Sequence, residues 1–207
     1  MDRPTRVHLL RHGPTEWNQI RRFQGRSDLP LSEQGRAMAE QVALALAGEE
    51  WDAVYSSPLK RAMETAKIVV GSRDVEVGQV EGLQEMDLGE LEGKTLEDLS
   101  ESQLAVLAAW REHPSSVEMP GGEGLQAVQA RAVESVNPLV AAHRGQKILV
   151  VGHAFNLLTY ICAAIEIDLD RLRSLFLDPL GLTTLEAHPD RILLRCFNHV
   201  PGRWTPT

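Results

Sequence analysis

Two histidines and two arginines lie directly after apolar runs or at the start of a predicted helix. Residues 7–10 form a short apolar, β-prone run, and Arg11 and His12 follow it at once. His153 follows a second such run, and Arg61 lies at the start of a predicted helix. Because the carboxyl ends of parallel strands meet at one edge of a sheet, we expect these side chains to lie close together.

Such a cluster would be a cationic pocket in an acidic protein, and its natural ligand is a phosphoryl group. A guanidinium group matches phosphate oxygens through two parallel hydrogen bonds. A neutral imidazole is a competent nucleophile toward phosphorus. Nearby arginines favour the neutral ring, because they disfavour a further positive charge. His12 is therefore the candidate nucleophile.

Cleavage of a phosphate ester also requires a proton for the leaving oxygen, and Glu85 is the candidate donor. It lies in a carboxylate-rich loop over residues 83–93. The other carboxylates of this loop are Asp87, Glu90 and Glu92. Once ionised, Glu85 could activate a water molecule that releases the phosphoryl group from His12.

Length and composition limit the classes of protein that fit. A chain of 207 residues with 43% hydrophobic and 24% charged residues predicts one well-buried globular domain. A net charge of −8 disfavours nucleic acid and anionic membranes as partners, since both are bound through excess Lys and Arg. Cys162 and Cys196 lie in apolar runs without disulfide or metal-ligand spacing, so we interpret them as reduced core residues of a cytoplasmic protein.

Strand and helix signals alternate along most of the chain. The predicted strands are 7–10, 53–55, 75–77, 147–151, 183–187 and 192–197, and the predicted helices are 32–47, 59–66, 95–110, 123–143 and 154–165. The alternation predicts an α/β fold, a three-layer α/β/α sandwich with a largely parallel central sheet and a mixed edge. Residues 148–165 are apolar enough to resemble a membrane span, but their polar members favour strand, turn and helix.

Four blocks of the chain resemble the histidine phosphatase superfamily, also called the phosphoglycerate mutase-like family. They are Leu-Arg-His-Gly at 10–13 with Asn18, Ser-Ser-Pro-Leu-Lys-Arg at 56–61, Leu-Gln-Glu-Met-Asp-Leu-Gly at 83–89 with Glu92 and Gly93, and Val-Gly-His at 151–153. The blocks occur in order and at compatible spacing over nearly the whole chain. The resemblance implies a single histidine phosphatase domain over residues 1–207, with about residues 86–122 forming a lid or cap over the site.

The resemblance also implies a role for each matched residue. His12 is similar to the phosphorylated nucleophile, and Glu85 is similar to the proton donor. The implied phosphate-binding residues are Arg11, Arg61, His153 and Asn18. The implied substrate contacts are Phe23, Gln24, Gly25 and Leu88. Because the family uses no metal, we expect neither a metal ion nor a cofactor.

Within the family, the chain resembles the phosphatase branch. Mutases that depend on a bisphosphate primer carry a longer insertion than residues 93–120 offer here. We therefore expect a metal-independent phosphomonoesterase that acts on small phosphorylated metabolites through a phosphohistidine, with a homodimer as a possible assembly.

Other functions stay open at this stage. They are a cofactor-dependent phosphoglycerate mutase, a specialised phosphoserine or α-ribazole phosphatase, and a non-enzymatic phosphate-binding scaffold. Residues 120–123 and 198–199 resemble the two specialised phosphatases, although phosphoserine-type sequences carry a histidine where this chain has Leu88. His199 and Arg203 are further candidates for substrate recognition.

Overall fold

The fold is built on one six-stranded sheet in a computed structural model that describes residues 3–202. The strands are β1 (Thr5–Arg11), β2 (Ala53–Ser56), β3 (Val77–Gln79), β4 (Lys147–Gly152), β5 (Leu182–Ala187) and β6 (Ile192–His199). The α-helices are α1 (Glu16–Gln19), α2 (Glu33–Ala45), α3 (Lys60–Val70), α4 (Glu101–Glu112), α5 (Leu125–Ala142) and α6 (Ala154–Ala164). Short 3-10 helices span Glu81–Leu83, Gly89–Leu91, Leu96–Asp98, Pro114–Ser116 and Leu169–Ser174.

The strand order is β3-β2-β4-β1-β5-β6, and the first four of these strands pair in parallel. β5 runs antiparallel to both β1 and β6, which confirms the largely parallel sheet with a mixed edge. Arg11 of β1 lies opposite Gly152 of β4. This register brings the next residue of each strand, His12 and His153, out of the sheet side by side.

Alternate residues of the central strands pack on opposite faces of the sheet. Leu9 and Val150 belong to the apolar cluster that includes α5 and α6, whereas Leu10 and Val151 belong to the cluster that includes α2 and α3. Burial on both faces explains why residues 148–151 of β4, and residues 7–10 of β1 apart from His8, are apolar. The predicted three-layer α/β/α sandwich is therefore confirmed.

The predicted helix over residues 95–110 is wrong in its continuity. The side chain of Ser100 accepts a hydrogen bond from the Gln103 N–H, and the Gln103 side chain accepts one from the Ser100 N–H. This capping box starts α4 afresh, after a separate 3-10 helix that Thr95 caps. Leu96 and Leu104 remain about half exposed, so the leucine spacing in this segment does not mark one buried face.

Two other predictions concern burial. Residues 148–165 form most of β4 and then α6, as predicted, and no helix of residues 3–202 is long and apolar enough to cross a membrane. Cys162 is buried and Cys196 is half-buried, and neither forms a disulfide. The core assignment therefore holds for Cys162 but not for Cys196, which lies on the edge strand β6.

The segment predicted as a lid, residues 86–122, lies outside the sheet and carries α4. Its Trp110 ring contacts the Phe155 ring edge-on, with the ring centroids 5.6 Å apart. Phe155 is in the first turn of α6, next to His153. The segment therefore packs against the element that follows the carboxyl end of β4, while its action as a lid stays a prediction.

Candidate active site

His12 follows β1 with its side chain almost wholly buried, at 4% exposure. Its Nδ1 lies 2.7 Å from the Gly13 carbonyl oxygen, which can only accept, so Nδ1 carries the hydrogen and Nε2 keeps its lone pair. Burial, followed by the charges of Arg61 and Arg11, holds the pKa of His12 well below its ordinary value of 6.5. The ring is therefore neutral at neutral pH.

Arg61 is fully buried in the first turn of α3, where its Nε–H donates to His12 Nε2 over 3.3 Å. Its Nη1 and Nη2 donate to the carbonyl oxygens of Ser27 and Gly25, each over 2.7 Å. Burial lowers the pKa of Arg61 to about 10, with the charge of Glu85 acting in the opposite direction. The guanidinium is therefore still charged at neutral pH and is held beside the lone pair of His12.

Gly25 is required by a close approach of two loops. A Cβ atom at this position would lie 2.8 Å from the Met86 carbonyl oxygen and 2.9 Å from the Leu88 nitrogen. The absent side chain therefore lets the segment that holds Arg61 pack directly on the loop that carries Glu85.

His153 lies beside His12, with the ring centroids 5.0 Å apart, and is fully buried. Its Nε2 is 2.8 Å from Ser57 Oγ, and this Oγ also accepts from the Leu59 N–H. Ser57 can therefore donate its hydroxyl hydrogen to Nε2, which leaves the ring hydrogen on Nδ1. Burial, followed by the charges of Arg61 and His12, holds the pKa of His153 well below 6.5.

Three of the predicted site residues carry a buried nitrogen atom without a hydrogen-bond partner. The atoms are Arg11 Nε, Gln24 Nε2 and His153 Nδ1. A buried donor that lacks a partner costs about 1–3 kcal/mol, and a bound ligand that accepts hydrogen bonds would offset this cost. The oxygens of a phosphoryl group are acceptors of this kind.

Glu85 is buried, at 4% exposure, against the start of α6. Its Oε1 accepts from the Met86 N–H at 2.8 Å and the Asn156 N–H at 3.2 Å, and its Oε2 accepts from the Phe155 N–H at 3.2 Å. Burial raises the pKa of Glu85 above its ordinary value of 4.5, although the Met86 N–H and the charge of Arg61 oppose this. Glu85 can therefore keep a proton at a higher pH than an exposed carboxyl group.

The arrangement of a neutral imidazole, two guanidinium groups and a protonatable carboxyl group fits phosphoryl transfer. The model of the histidine phosphatase superfamily (branch 1) matches residues 7–200. The chain belongs to the histidine phosphatase superfamily. It is a histidine phosphatase with the phosphoglycerate mutase-like α/β fold.

One curated and two solved members of the superfamily match this phosphatase over at least 90% of their length. Phosphoserine phosphatase 1 of Hydrogenobacter thermophilus is 32% identical over 190 residues, which are 92% of this chain and 90% of that protein. YhfR of Bacillus stearothermophilus is 34% identical with a TM-score of 0.88, covering 97% and 98% of the two chains. The α-ribazole phosphatase of Shigella flexneri is 26% identical with a TM-score of 0.86, covering 97% and 100%.

The other predicted phosphate and substrate contacts fall into two groups. Asn18 Oδ1 accepts from the Thr15 N–H, and Gln24 Oε1 accepts from Thr15 Oγ1, so each side chain retains its amide nitrogen as a donor. Leu88, only 4% exposed, instead belongs to the apolar core, and Phe23 is partly buried against it. The two amides are thus suited to bind phosphate oxygens, while the two apolar side chains hold the surrounding loops together.

Sequence reasoning did not find several polar residues that support the site. Ser57 contacts His153, Asn156 contacts Glu85, and Arg131 contacts the backbone of the Glu85 loop. Ser57 lies inside a matched block, which was a usable signal. Arg131 offered only a weak signal, an arginine beside the buried positions Val128 and Ala132 of an otherwise apolar helix face.

The sequence also draws attention to three residues near the C-terminus. Asn198 Oδ1 accepts from the Asp178 N–H, and Asn198 Nδ2 donates to the Asp178 carboxylate. His199 is exposed at the end of β6. Arg203 lies outside the described residues. Within residues 3–202, no three His, Cys, Asp or Glu side chains are grouped as ligands for a metal ion.

Proposed function

We propose that this histidine phosphatase hydrolyses small phosphomonoesters through a phosphohistidine on His12, with Glu85 as general acid and then general base. The observation that carries the proposal is the state of the His12 ring, which is neutral and hydrogenated at Nδ1, with its Nε2 lone pair beside Arg61. A nucleophile toward phosphorus needs this lone pair, and the guanidinium supplies the charge that binds the phosphoryl oxygens.

In the first step, His12 Nε2 attacks phosphorus and an N–P bond forms. The bond between phosphorus and the leaving oxygen breaks, and its electron pair stays on that oxygen. The carboxyl proton of Glu85 passes to the same oxygen, so a neutral alcohol leaves. We assign the phosphoryl oxygens to Arg11, Arg61, His153 and Asn18, and the unpartnered Arg11 Nε and His153 Nδ1 are among the donors.

In the second step, the ionised Glu85 takes a proton from water while the water oxygen attacks phosphorus. The N–P bond breaks, its electron pair returns to Nε2, and inorganic phosphate is released. Both His12 and Glu85 are thereby restored. Since no step needs a metal ion, we expect full activity in the presence of a chelator.

The substrate class follows from the relatives. Their names include a phosphoserine phosphatase and an α-ribazole phosphatase, which supports a small phosphorylated metabolite as the substrate. We propose residues 86–122 as the lid that covers its leaving group, since this segment packs against the start of α6 near Glu85. The cytoplasmic location and the homodimer stay predictions.

The test is a rapid acid-free quench of the enzyme with a phosphate ester labelled on phosphorus, in the presence of a chelator. We expect label on the peptide that contains His12, stable to alkali and lost in acid, followed by release of inorganic phosphate. A His12→Ala variant that keeps full activity would contradict the proposal.

Two outcomes would instead support the other functions. Labelling or phosphate binding without turnover indicates a binding scaffold. Isomerisation of 3-phosphoglycerate in the presence of 2,3-bisphosphoglycerate, in place of hydrolysis, indicates a mutase.

A further inference from the structure

Arg131 of α5 holds the loop that carries Glu85 through its backbone. Its Nη1 donates to the carbonyl oxygens of Gly82 and Gln84, over 2.9 and 2.5 Å, and its Nη2 donates to that of Glu85 over 2.9 Å. A single guanidinium thus binds three carbonyl groups within four consecutive residues. These hydrogen bonds fix the backbone of residues 82–85, which leads up to the Glu85 side chain.

Glu123 extends the contact to the C-terminal side of Glu85. Its two oxygens accept from Arg131 Nε at 3.2 Å and Nη2 at 3.1 Å, which is the bidentate geometry of a strong ion pair. The same carboxylate accepts from the Asp87 N–H at 2.9 Å and from Arg26 Nη2 at 2.8 Å. Arg131 and Glu123 therefore hold the chain on both sides of Glu85.

The Arg26 contact connects this pair to the phosphate side of the site. Arg26 lies between Gly25 and Ser27, whose carbonyl oxygens hold the two terminal nitrogens of Arg61. One carboxylate, that of Glu123, is thus hydrogen-bonded both to the loop of the proton donor and to the segment that holds the phosphate-binding guanidinium.

The loop also packs on α5 too closely to move as a unit without losing contacts. A Cβ atom on Gly82 would lie 1.9 Å from Ser135 Oγ and 3.0 Å from the Arg131 carbonyl oxygen. On its other side, Gly82 accepts from Asn156 Nδ2 at 3.0 Å, and the Asn156 N–H donates to Glu85. The Glu85 loop is therefore clamped between α5 and the start of α6.

We propose that Arg131, together with Glu123, is a positioning residue that holds the Glu85 carboxyl group against the leaving oxygen. The inference rests on the proposed function, because it assigns Arg131 to the proton transfers of Glu85. Loss of the guanidinium leaves the Glu85 backbone free to shift, whereas the contacts of His12, Arg61 and His153 with each other involve no atom of Arg131.

This assignment predicts a dependence on the leaving group. An alkyl phosphate needs a proton on its leaving oxygen, whereas 2,4-dinitrophenyl phosphate releases a stable anion and does not. We expect Arg131→Lys to lower kcat/KM for an alkyl phosphate by about 10- to 100-fold, because its catalytic carboxyl group is then misplaced. The change in kcat/KM for the dinitrophenyl ester should be less than about threefold. The ratio kcat/KM reports only the steps up to transfer of phosphorus to His12, so the second use of Glu85 does not enter.

Arg73 provides a matched control at the opposite edge of the sheet. Its guanidinium donates to four backbone carbonyl oxygens, those of Leu46, Glu49, Val69 and Val70. Arg73→Lys therefore removes the same kind of contact, and we expect it to lower the melting temperature without changing the ratio of kcat/KM between the two esters. Glu123→Gln is the second test variant if Arg131→Lys fails to fold, because its amide oxygen can still accept from Arg26 while its amide NH2 group faces two donors, Arg131 Nη2 and the Asp87 N–H.

The outcomes separate this inference from the proposed function. If Arg131→Lys lowers kcat/KM equally for both esters, or for neither, the positioning role is overturned. The proposed function still stands in that case, provided that Glu85→Gln lowers kcat/KM selectively for the alkyl ester. If Glu85→Gln lowers kcat/KM for the two esters by the same factor, the proposed function fails. A selective loss in both variants, with Arg73→Lys unselective, supports the inference.

Discussion

His8 and His12 are two buried histidines of one segment, the first inside β1 and the second directly after it. Burial lowers the pKa of both rings, that of His8 to about 4. Their partners differ. His8 Nδ1 accepts from the Trp51 indole N–H over 3.2 Å. The Arg73 guanidinium lies over the Trp51 ring, with its Cζ 5.1 Å from the ring centroid.

His12 instead has the Arg61 guanidinium at its unprotonated nitrogen, Nε2, and His153 beside its ring. Buried donors without partners lie on the residues around it, whereas the donor next to His8 is satisfied by that ring. A depressed pKa therefore does not distinguish a structural histidine from a catalytic one. The surroundings do, since only His12 faces groups that could bind and react with an anion.

The sharpest test of this comparison removes each ring in turn. We expect His12→Ala to lower kcat for a phosphate ester by at least about 10⁴-fold, because loss of a nucleophile removes the covalent step. His8→Gln should keep kcat within about twofold, because Gln retains an acceptor for Trp51 and no atom of the site changes. Steady-state kinetics on both purified proteins provides the measurement. Comparable losses of kcat in the two variants would mean that both substitutions lower activity by disturbing the fold, and that the test does not report on the chemistry of His12.

Glu85→Gln should have the next largest effect. The first step needs the protonated carboxyl group, so kcat/KM for an alkyl phosphate should fall as pH rises through the elevated pKa of Glu85. The variant should be about 10²- to 10⁴-fold slower at low pH and lack this dependence. The second ionisation of the ester near pH 6 is common to both proteins, so the ratio of their pH profiles isolates Glu85. A ratio that does not change with pH would contradict the role as proton donor.

The sequence could predict the meeting of these groups because it depends on strand direction. β1 and β4 are apolar on both faces, so their burial and parallel pairing follow from composition, and Arg11, His12 and His153 then share one edge. The resemblance to the family favoured Glu85 over the other carboxylates of its loop, which has no periodic pattern of its own.

The remaining parts depend on contacts between distant segments. The clamp of Arg131 on Gly82, Gln84 and Glu85 joins residues about 50 positions apart through backbone oxygens, which every residue type carries. Likewise, the break before α4 depended on one capping box within a leucine pattern that indicated a longer helix. Such local hydrogen bonds override periodicity and leave little trace in composition.

Ser57→Ala should have a moderate effect, since it touches His153 and not the nucleophile. Removal of the hydroxyl leaves a buried ring nitrogen unpaired and frees the ring hydrogen to move from Nδ1 to Nε2. We expect a loss of about 10-fold in kcat/KM, equivalent to about 1–2 kcal/mol. NMR of ring nitrogens labelled with ¹⁵N would report the tautomer directly. An unchanged His153 tautomer and unchanged kinetics would show that Ser57 only fills space.

The smallest effect on catalysis, and a measurable one on stability, belongs to His8. A histidine whose pKa is lower in the folded state than in the unfolded state stabilises the fold above pH 6.5, and this stability is lost as pH falls toward the folded value of about 4. Between pH 7.5 and pH 5 this amounts to about 2 kcal/mol in the free energy of unfolding. His12 and His153 act in the same direction, but only His8 can be replaced without touching the site. Denaturant unfolding of His8→Gln should therefore show a pH dependence weaker than that of the parent protein by about this amount. If His8→Gln instead follows the parent protein, the burial of His8 has no part in acid sensitivity, and the contrast between the two histidines rests on their chemistry alone.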